Sequence, residues 1–379
     1  MAQARSILSR FRGCLAGAAI GDCIGSEFET LWANSIDITK ILGVDNQIRE
    51  VAEKRSKGEG EILKGKIWEF TDDTAMARSV AKSLIEQKGF NAKDMACRFS
   101  KEYLKDPYRG YGGSVVVVFQ KLHDTEYKDP FGPAKEQFDG KGSYGNGGAM
   151  RIAPAGLFGY KDNDFHRLRE LAQNITSITH SHYQAIQGAV LQAYAVYLAL
   201  RVEGHVDTDK FLDDLIKQMK LMETETEKLT REKNESVAQD RGEERSTASE
   251  HPYCDKLEKI RTFLKQDTPP TADEINKDLG TEISAVESVP AAIFAFLYSA
   301  KEIPHLEDRN LFEKTVIYAI SLGGDSDTIA SMAGAIAGAC YGEEQVPDHW
   351  KLCCEGVEDA LKYGEELYKL SQLSEAENR

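Results

Sequence analysis

The segment SLGGDSDTIASMAGAIAGACY, residues 321–341, restricts the architecture of this 379-residue chain more than any other. From Thr328 to Tyr341 every face is apolar or small, which predicts a central helix closely packed by its neighbours. Yet the helix is entered through Gly323-Gly324-Asp325-Ser326-Asp327-Thr328. Asp325 and Asp327 would diverge on a regular helix but converge in the turn before one, and two glycines give that turn its freedom. Capping explains one acidic group at a helix start. It does not explain several carried inside, where carboxylates desolvate and repel one another until a cation joins them.

A second cluster, Thr71-Asp72-Asp73-Thr74, opens a predicted helix in which Met76, Val80 and Leu84 recur every four residues before Gly89. Alone, TDDT reads as a cap. Paired with the first cluster it offers hard oxygen donors suited to Mg²⁺, Mn²⁺ or Ca²⁺. Asp72 and Asp73 diverge by roughly 100° at helical pitch, so they can serve different ions with Asp327 bridging, which favours two ions over one. His180 and His182 hint at zinc but lack Cys or Glu partners nearby, and a structural role is the plainer reading.

The remaining pattern is helical. Residues 93–105 and 183–203, and a run from about Pro290, carry apolar helical periodicity. VVVVF at 115–119 is β-branched but equally consistent with a buried helix. The fold class is therefore all-α, a single compact helical bundle over residues 1–379. Residues 222–251 carry many charges and almost no large apolar groups. They read as a mobile surface insertion, with a solvated helix extension as the alternative.

Composition bounds function further. A net charge of −15 argues against direct nucleic-acid binding, though not against a polyanionic ligand screened by cations or backbone amides. Seven scattered cysteines without a CxxC read as reduced intracellular thiols. No stretch reaches the roughly 18 uninterrupted apolar residues of a membrane span. Arg5, Arg10 and Arg12 with Ser6 and Ser9 resemble a weak mitochondrial presequence; a first core helix, FRGCLAGAAIGDCIGS, is the preferred reading.

Two further elements complete the candidate site. Residues 140–151, GKGSYGNGGAMR, hold five glycines in twelve and can bring backbone N–H groups to a diphosphate, or form a plain surface turn. Glu29, immediately after the first helix, becomes a candidate general acid or base if it lies near a metal.

The motifs FRGCLAGAAIGDCIGSEFE, FTDDTAMA and SLGGDSDTIASMAGAIAGA together resemble the ADP-ribosylhydrolase family, related to the bacterial dinitrogenase-reductase-activating glycohydrolase. GKGSYGNGGAMRIAP, DPYRGYGGSVV and ESVPAAI add a likeness to its serine-specific branch, from about residue 8 to 365. The resemblance implies an orthogonal helical bundle with a dimagnesium centre in a central cleft. Thr71, Asp72 and Asp73 would supply one side of the centre, and Asp325, Asp327 and Thr328 the other. Ser326 replaces the usual threonine at a position not expected to ligate. Glu29 matches the family's mobile glutamate flap, counted with the metal set. Lys141, Gly142, Ser143, Tyr144, Gly145, Asn146 and Gly147 match the phosphate-holding stretch, Asp72 also touches substrate, and His180 and Ile283 line the adenosine end.

By the same resemblance the substrates are serine-linked ADP-ribosylated proteins, poly(ADP-ribose) and O-acetyl-ADP-ribose, with ADP-ribose as product. It also implies a monomer acting in the DNA damage response and DNA repair, in nucleus, cytoplasm and mitochondria. Arginine-linked substrates, a metal-dependent phosphoesterase and a non-catalytic ADP-ribose reader are the alternatives.

Overall fold

The computed structural model describes residues 6–29, 33–57, 67–162, 164–237 and 249–373. Among them are eighteen α-helices, two short 3₁₀ turns and no strand, only two isolated bridges, so the chain is all-α as expected. VVVVF lies in the helix Gly113–Asp124. None of the described helices is long and apolar enough to cross a membrane.

The architecture rests on two antiparallel helices, Ile7–Glu29 and Ser326–Tyr341. Every residue of the second is buried. Their backbones nearly touch along glycines spaced four apart. A Cβ at Gly13, Gly17 or Gly21 would stand 2.7, 2.2 or 2.1 Å from the carbonyl oxygen of Gly338, Gly334 or Ala330. One at Gly25 would stand 2.5 Å from the Cα of Asp327. The ridge therefore ends at the acidic turn, and close approach brings the end of one helix to the start of the other. Helices Tyr183–Ala199, Ala285–Tyr298 and Leu311–Ser321 pack around the pair. One hydrophobic core extends from Phe11 to Leu367.

Several expectations change in detail. The helix placed from about Pro290 begins at Ala285 and runs through Pro290. Glu29 is the last residue of the first helix rather than the residue after it. Arg10 and Arg12 lie in the first core helix, as the preferred reading has it: Arg10 is buried and donates to the Leu200 carbonyl at 3.0 Å, and Arg12 pairs with Glu343 and Glu365.

At its start the polar stretch 222–251 follows the second of its two readings, the helix extension. Residues 222–237 continue the helix Thr208–Val237, and 238–248 lie outside the described residues. Buried Glu223 holds this part by accepting the backbone N–H groups of Tyr253 (2.7 Å) and Cys254 (3.3 Å) at the start of helix Pro252–Lys265. A charged composition conceals this anchor because the helix needs only one buried edge.

Candidate metal centre and active site

Helices Asp72–Gln87 and Ser326–Tyr341 begin at one place, beside the end of the first helix. Thr71 is the N-cap of the Asp72 helix, accepting the Asp73 N–H at 3.3 Å. Its turn is held by Asp22, a fully buried carboxylate inside the first helix. Asp22 accepts the N–H and hydroxyl of Thr71 (2.9 and 2.8 Å) and of Thr74 (3.0 and 2.6 Å). Asp325 occupies the N-cap position of the other helix, but its side chain makes no cap bond. Gly323 and Gly324 both have positive φ, +74° and +63°, which turns the chain sharply enough to deliver Asp325 and Asp327 together. The turn is tied to its neighbours: the Gly324 N–H donates to the Ala33 carbonyl, and that of Asp325 to the Thr281 carbonyl.

One ligand atom from each of Glu29, Asp325 and Asp327 lies within 4.8 Å of the others. Thr328 donates its hydroxyl to Asp73 at 3.1 Å, while Asp73 Oδ1 is buried with no hydrogen-bond partner. Burial pushes these carboxyls up, and their mutual charges push them further: Asp72 rises to about 8, and Asp73 and Asp327 rise well above the ordinary range. Glu29 is raised by burial and then by the charges of Asp325 and Asp22. Acidic groups this close, with an orphaned oxygen among them, fit a hard divalent cation. Among the described residues this is the only group of three or more such side chains suited to an ion. His180 and His182 are in no such group, so the zinc hint has no structural counterpart; His182 Nδ1 instead accepts the Gln184 N–H and caps its helix.

The cluster lies in the lining of a cleft of about 190 Å³. Glu29, Asp72, Asp325, Asp327 and Thr328 line it, together with Ser143, Gly145, Asn146, Gly147, His180 and Ile283. Thr71 and Asp73 are not among the lining residues. Lys141 is exposed, Tyr144 is half-exposed at the surface, and Gly142 packs against Ser181, where a Cβ would meet its Oγ at 2.2 Å. These three are not in the cleft lining. Ser326 is not in it either, because its buried hydroxyl donates to the Gly25 carbonyl at 3.0 Å and pins the two central helices.

The glycine loop is joined to the acidic cluster through Asn146. Its side-chain amide donates to Asp325 and to Ser288 (3.0 Å), and its backbone N–H is taken by the Ile283 carbonyl at 2.9 Å. Asn146 thus orients a carboxylate, a role that loop composition does not reveal. Sequence reasoning also missed Asp22 and Arg151. A lone aspartate in an apolar helix, and an arginine in the otherwise apolar AMRIAPAG, were the available signals.

Fold and site define a class: an all-helical protein whose acidic cleft, suited to hard cations, opens beside a glycine-rich loop. The ADP-ribosylglycohydrolase family model matches residues 3–377. The chain belongs to this family, and it is a hydrolase. Relatives named ADP-ribosylhydrolase ARH3 are 46% identical in Xenopus tropicalis over 365 residues, covering 96% of each chain. The Homo sapiens relative of that name is 42% identical over 368 residues, 97% of this chain and 95% of its own. A solved structure described as an ADP-ribosylglycohydrolase-related protein complex shares the fold, with TM-score 0.63 at 22% identity, over 96% of this chain and 99% of that one.

Proposed function

We propose that this chain is a magnesium-dependent ADP-ribosylhydrolase that removes ADP-ribose from serine, as a single catalytic domain. The carrying observation is one cleft lined both by the Glu29–Asp325–Asp327 cluster and by Ser143, Gly145, Asn146 and Gly147 of the glycine loop. The identity to relatives named for this hydrolysis, across nearly their whole length, supports it. Poly(ADP-ribose) and O-acetyl-ADP-ribose present the same distal ribose and are proposed as further substrates.

Glu29, Asp325 and Asp327, with Asp72, Asp73, Thr71 and Thr328 around them, would hold two Mg²⁺ ions, which supply positioning of ribose hydroxyls and charge stabilisation when bound. The residues do the rest. Ser143, Gly145 and Gly147 border the space for the diphosphate, and Asn146 keeps Asp325 oriented. Ile283 lines the same cleft and is assigned to the nucleoside end. His180, whose ring meets Gly145 and Gly147, is assigned to the diphosphate rather than to the adenosine end. The glycosidic bond breaks through an oxocarbenium-like state, so the leaving serine oxygen needs a proton and a water must attack. Glu29, half-buried and part of the cleft lining, is the residue proposed to carry that proton.

The test is release of ADP-ribose from a serine-ADP-ribosylated peptide, with Mg²⁺ and with excess EDTA, beside an arginine-linked control. Mg²⁺-dependent release from serine alone is expected. Release from arginine alone overturns the substrate, and cleavage of the diphosphate instead overturns the reaction. Binding of ADP-ribose with no release from either peptide makes the chain a reader.

A further inference from the structure

Arg151 is 1% exposed, and its hydrogen bonds among the described residues go to Thr179 and the Ile175 carbonyl rather than to a carboxylate. Its guanidinium lies over the Phe99 ring at 4.5 Å, its Nε is buried without a partner, and it forms part of the cleft lining. Its short contact is to Thr179: Nη2 donates to the hydroxyl oxygen at 2.6 Å. That hydroxyl lies 2.7 Å from His180 Nδ1.

The direction of this chain follows from donor chemistry. A guanidinium only donates, so Thr179 Oγ1 accepts from it. The oxygen has a second lone pair for an Nδ1–H, but only donation by the hydroxyl to His180 Nδ1 also pairs the hydroxyl proton, and that is the direction we assign. Burial, and then the Arg151 charge, hold the imidazolium down to about 3, so the ring is neutral near pH 7. A neutral ring that accepts at Nδ1 carries its proton on Nε2. Nε2 faces the glycine loop: a Cβ at Gly147 would stand 2.9 Å from it and one at Gly145 3.6 Å. It makes no hydrogen bond among the described residues.

We propose that Arg151 and Thr179 are positioning residues that lock His180 as its Nε2–H tautomer, so that the ring presents a donor to the diphosphate oxygens held at the glycine loop. The opposite tautomer would turn a lone pair towards an anion. Arg151 adds a fixed positive charge on the same side, where the cleft otherwise collects carboxylates. This inference rests on the ADP-ribose reading above.

The experiment has two arms. ¹⁵N-histidine NMR of the Mg²⁺-loaded protein, with the His180 signal assigned by its loss in His180→Gln, reads the tautomer directly. Protonated Nε2 in the parent and redistribution towards Nδ1–H in Thr179→Val are expected. A parent ring protonated on Nδ1 overturns the relay, as does a Thr179→Val ring unchanged from the parent.

The second arm is calorimetry of the Mg²⁺-loaded protein with ADP-ribose and with adenosine. Thr179→Val should weaken ADP-ribose about tenfold without moving adenosine, and Thr179→Ser should restore it. In turnover the loss should fall on KM rather than kcat. Equal weakening of both ligands, or of neither, overturns the proposal. Failure of the parent to bind ADP-ribose overturns the functional reading instead, and the NMR arm still decides the tautomer.

Discussion

The Thr328 hydroxyl donates to the Asp73 carboxylate across 3.1 Å, joining two helix starts that lie 255 residues apart. Asp327, beside Thr328, faces Asp325 and Glu29 at the same junction. An ion held there would touch both halves of the chain and add to folding stability as well as to catalysis.

Mg²⁺ should therefore raise the melting temperature of the protein, and EDTA should reverse the rise. Asp327→Ala should abolish this response and lower hydrolysis by about 10²–10³-fold, since one such electrostatic contact is worth several kcal/mol. Differential scanning fluorimetry and peptide turnover check the two halves. Full turnover in Asp327→Ala would remove the metal centre from the mechanism.

Asp22 touches neither metal nor substrate in the proposed mechanism, yet it accepts four hydrogen bonds from Thr71 and Thr74. Asp22→Ala leaves those donors unpaired in a buried turn. It should cost about 2–4 kcal/mol in urea unfolding and lower hydrolysis by displacing Asp72 and Asp73. Stability near the parent's would mean that water replaces the carboxylate.

The glycine ridge gives a paired test. Gly21→Ala places a Cβ 2.1 Å from the Ala330 carbonyl oxygen, so the central helices must separate, at about 1–3 kcal/mol or more. Gly43 lies in the helix Ile38–Ser56, where an added Cβ would meet nothing within 4 Å, and Gly43→Ala should stabilise by up to about 1 kcal/mol. Thermal unfolding of the two variants should move in opposite directions.

The acid limb of stability should depend on Asp45. Its burial pushes the carboxyl up, but His349 (2.8 Å), Arg309 (2.7 Å), Arg49 (3.0 Å) and Trp350 Nε1 (2.7 Å) outweigh that and hold it well below the usual range. A depressed carboxyl contributes fully above its unfolded value of about 3.9 and loses the contribution as pH falls through the folded value. The stability gap between the parent and Asp45→Asn should be constant from neutral pH to about 5 and close below about 4. A gap that widens on acidification would contradict this assignment.

Local pattern carried the fold class, the two acidic helix starts and the buried central helix, because helical periodicity and glycine before a turn act over a few residues. It also carried the choice of hard-oxygen chemistry, since ligand type is written in the residues themselves. The polar stretch 222–251 left an insertion and a helix extension both open, because composition averages over a helix with one buried edge and does not show contacts such as those of Glu223 with Tyr253 and Cys254.

What remained for the tertiary structure was convergence. Nothing in residues 140–151 says that Asn146 spends its amide on Asp325, that Lys141 and Gly142 stay out of the cleft lining, or that Arg151 reaches His180 through Thr179. Such pairings arise when helices pack, and packing is set by close approaches like that of Gly17 to Gly334, which no window of local sequence contains. The residue types therefore decided which chemistry was available, and the long-range contacts decided which atoms perform it.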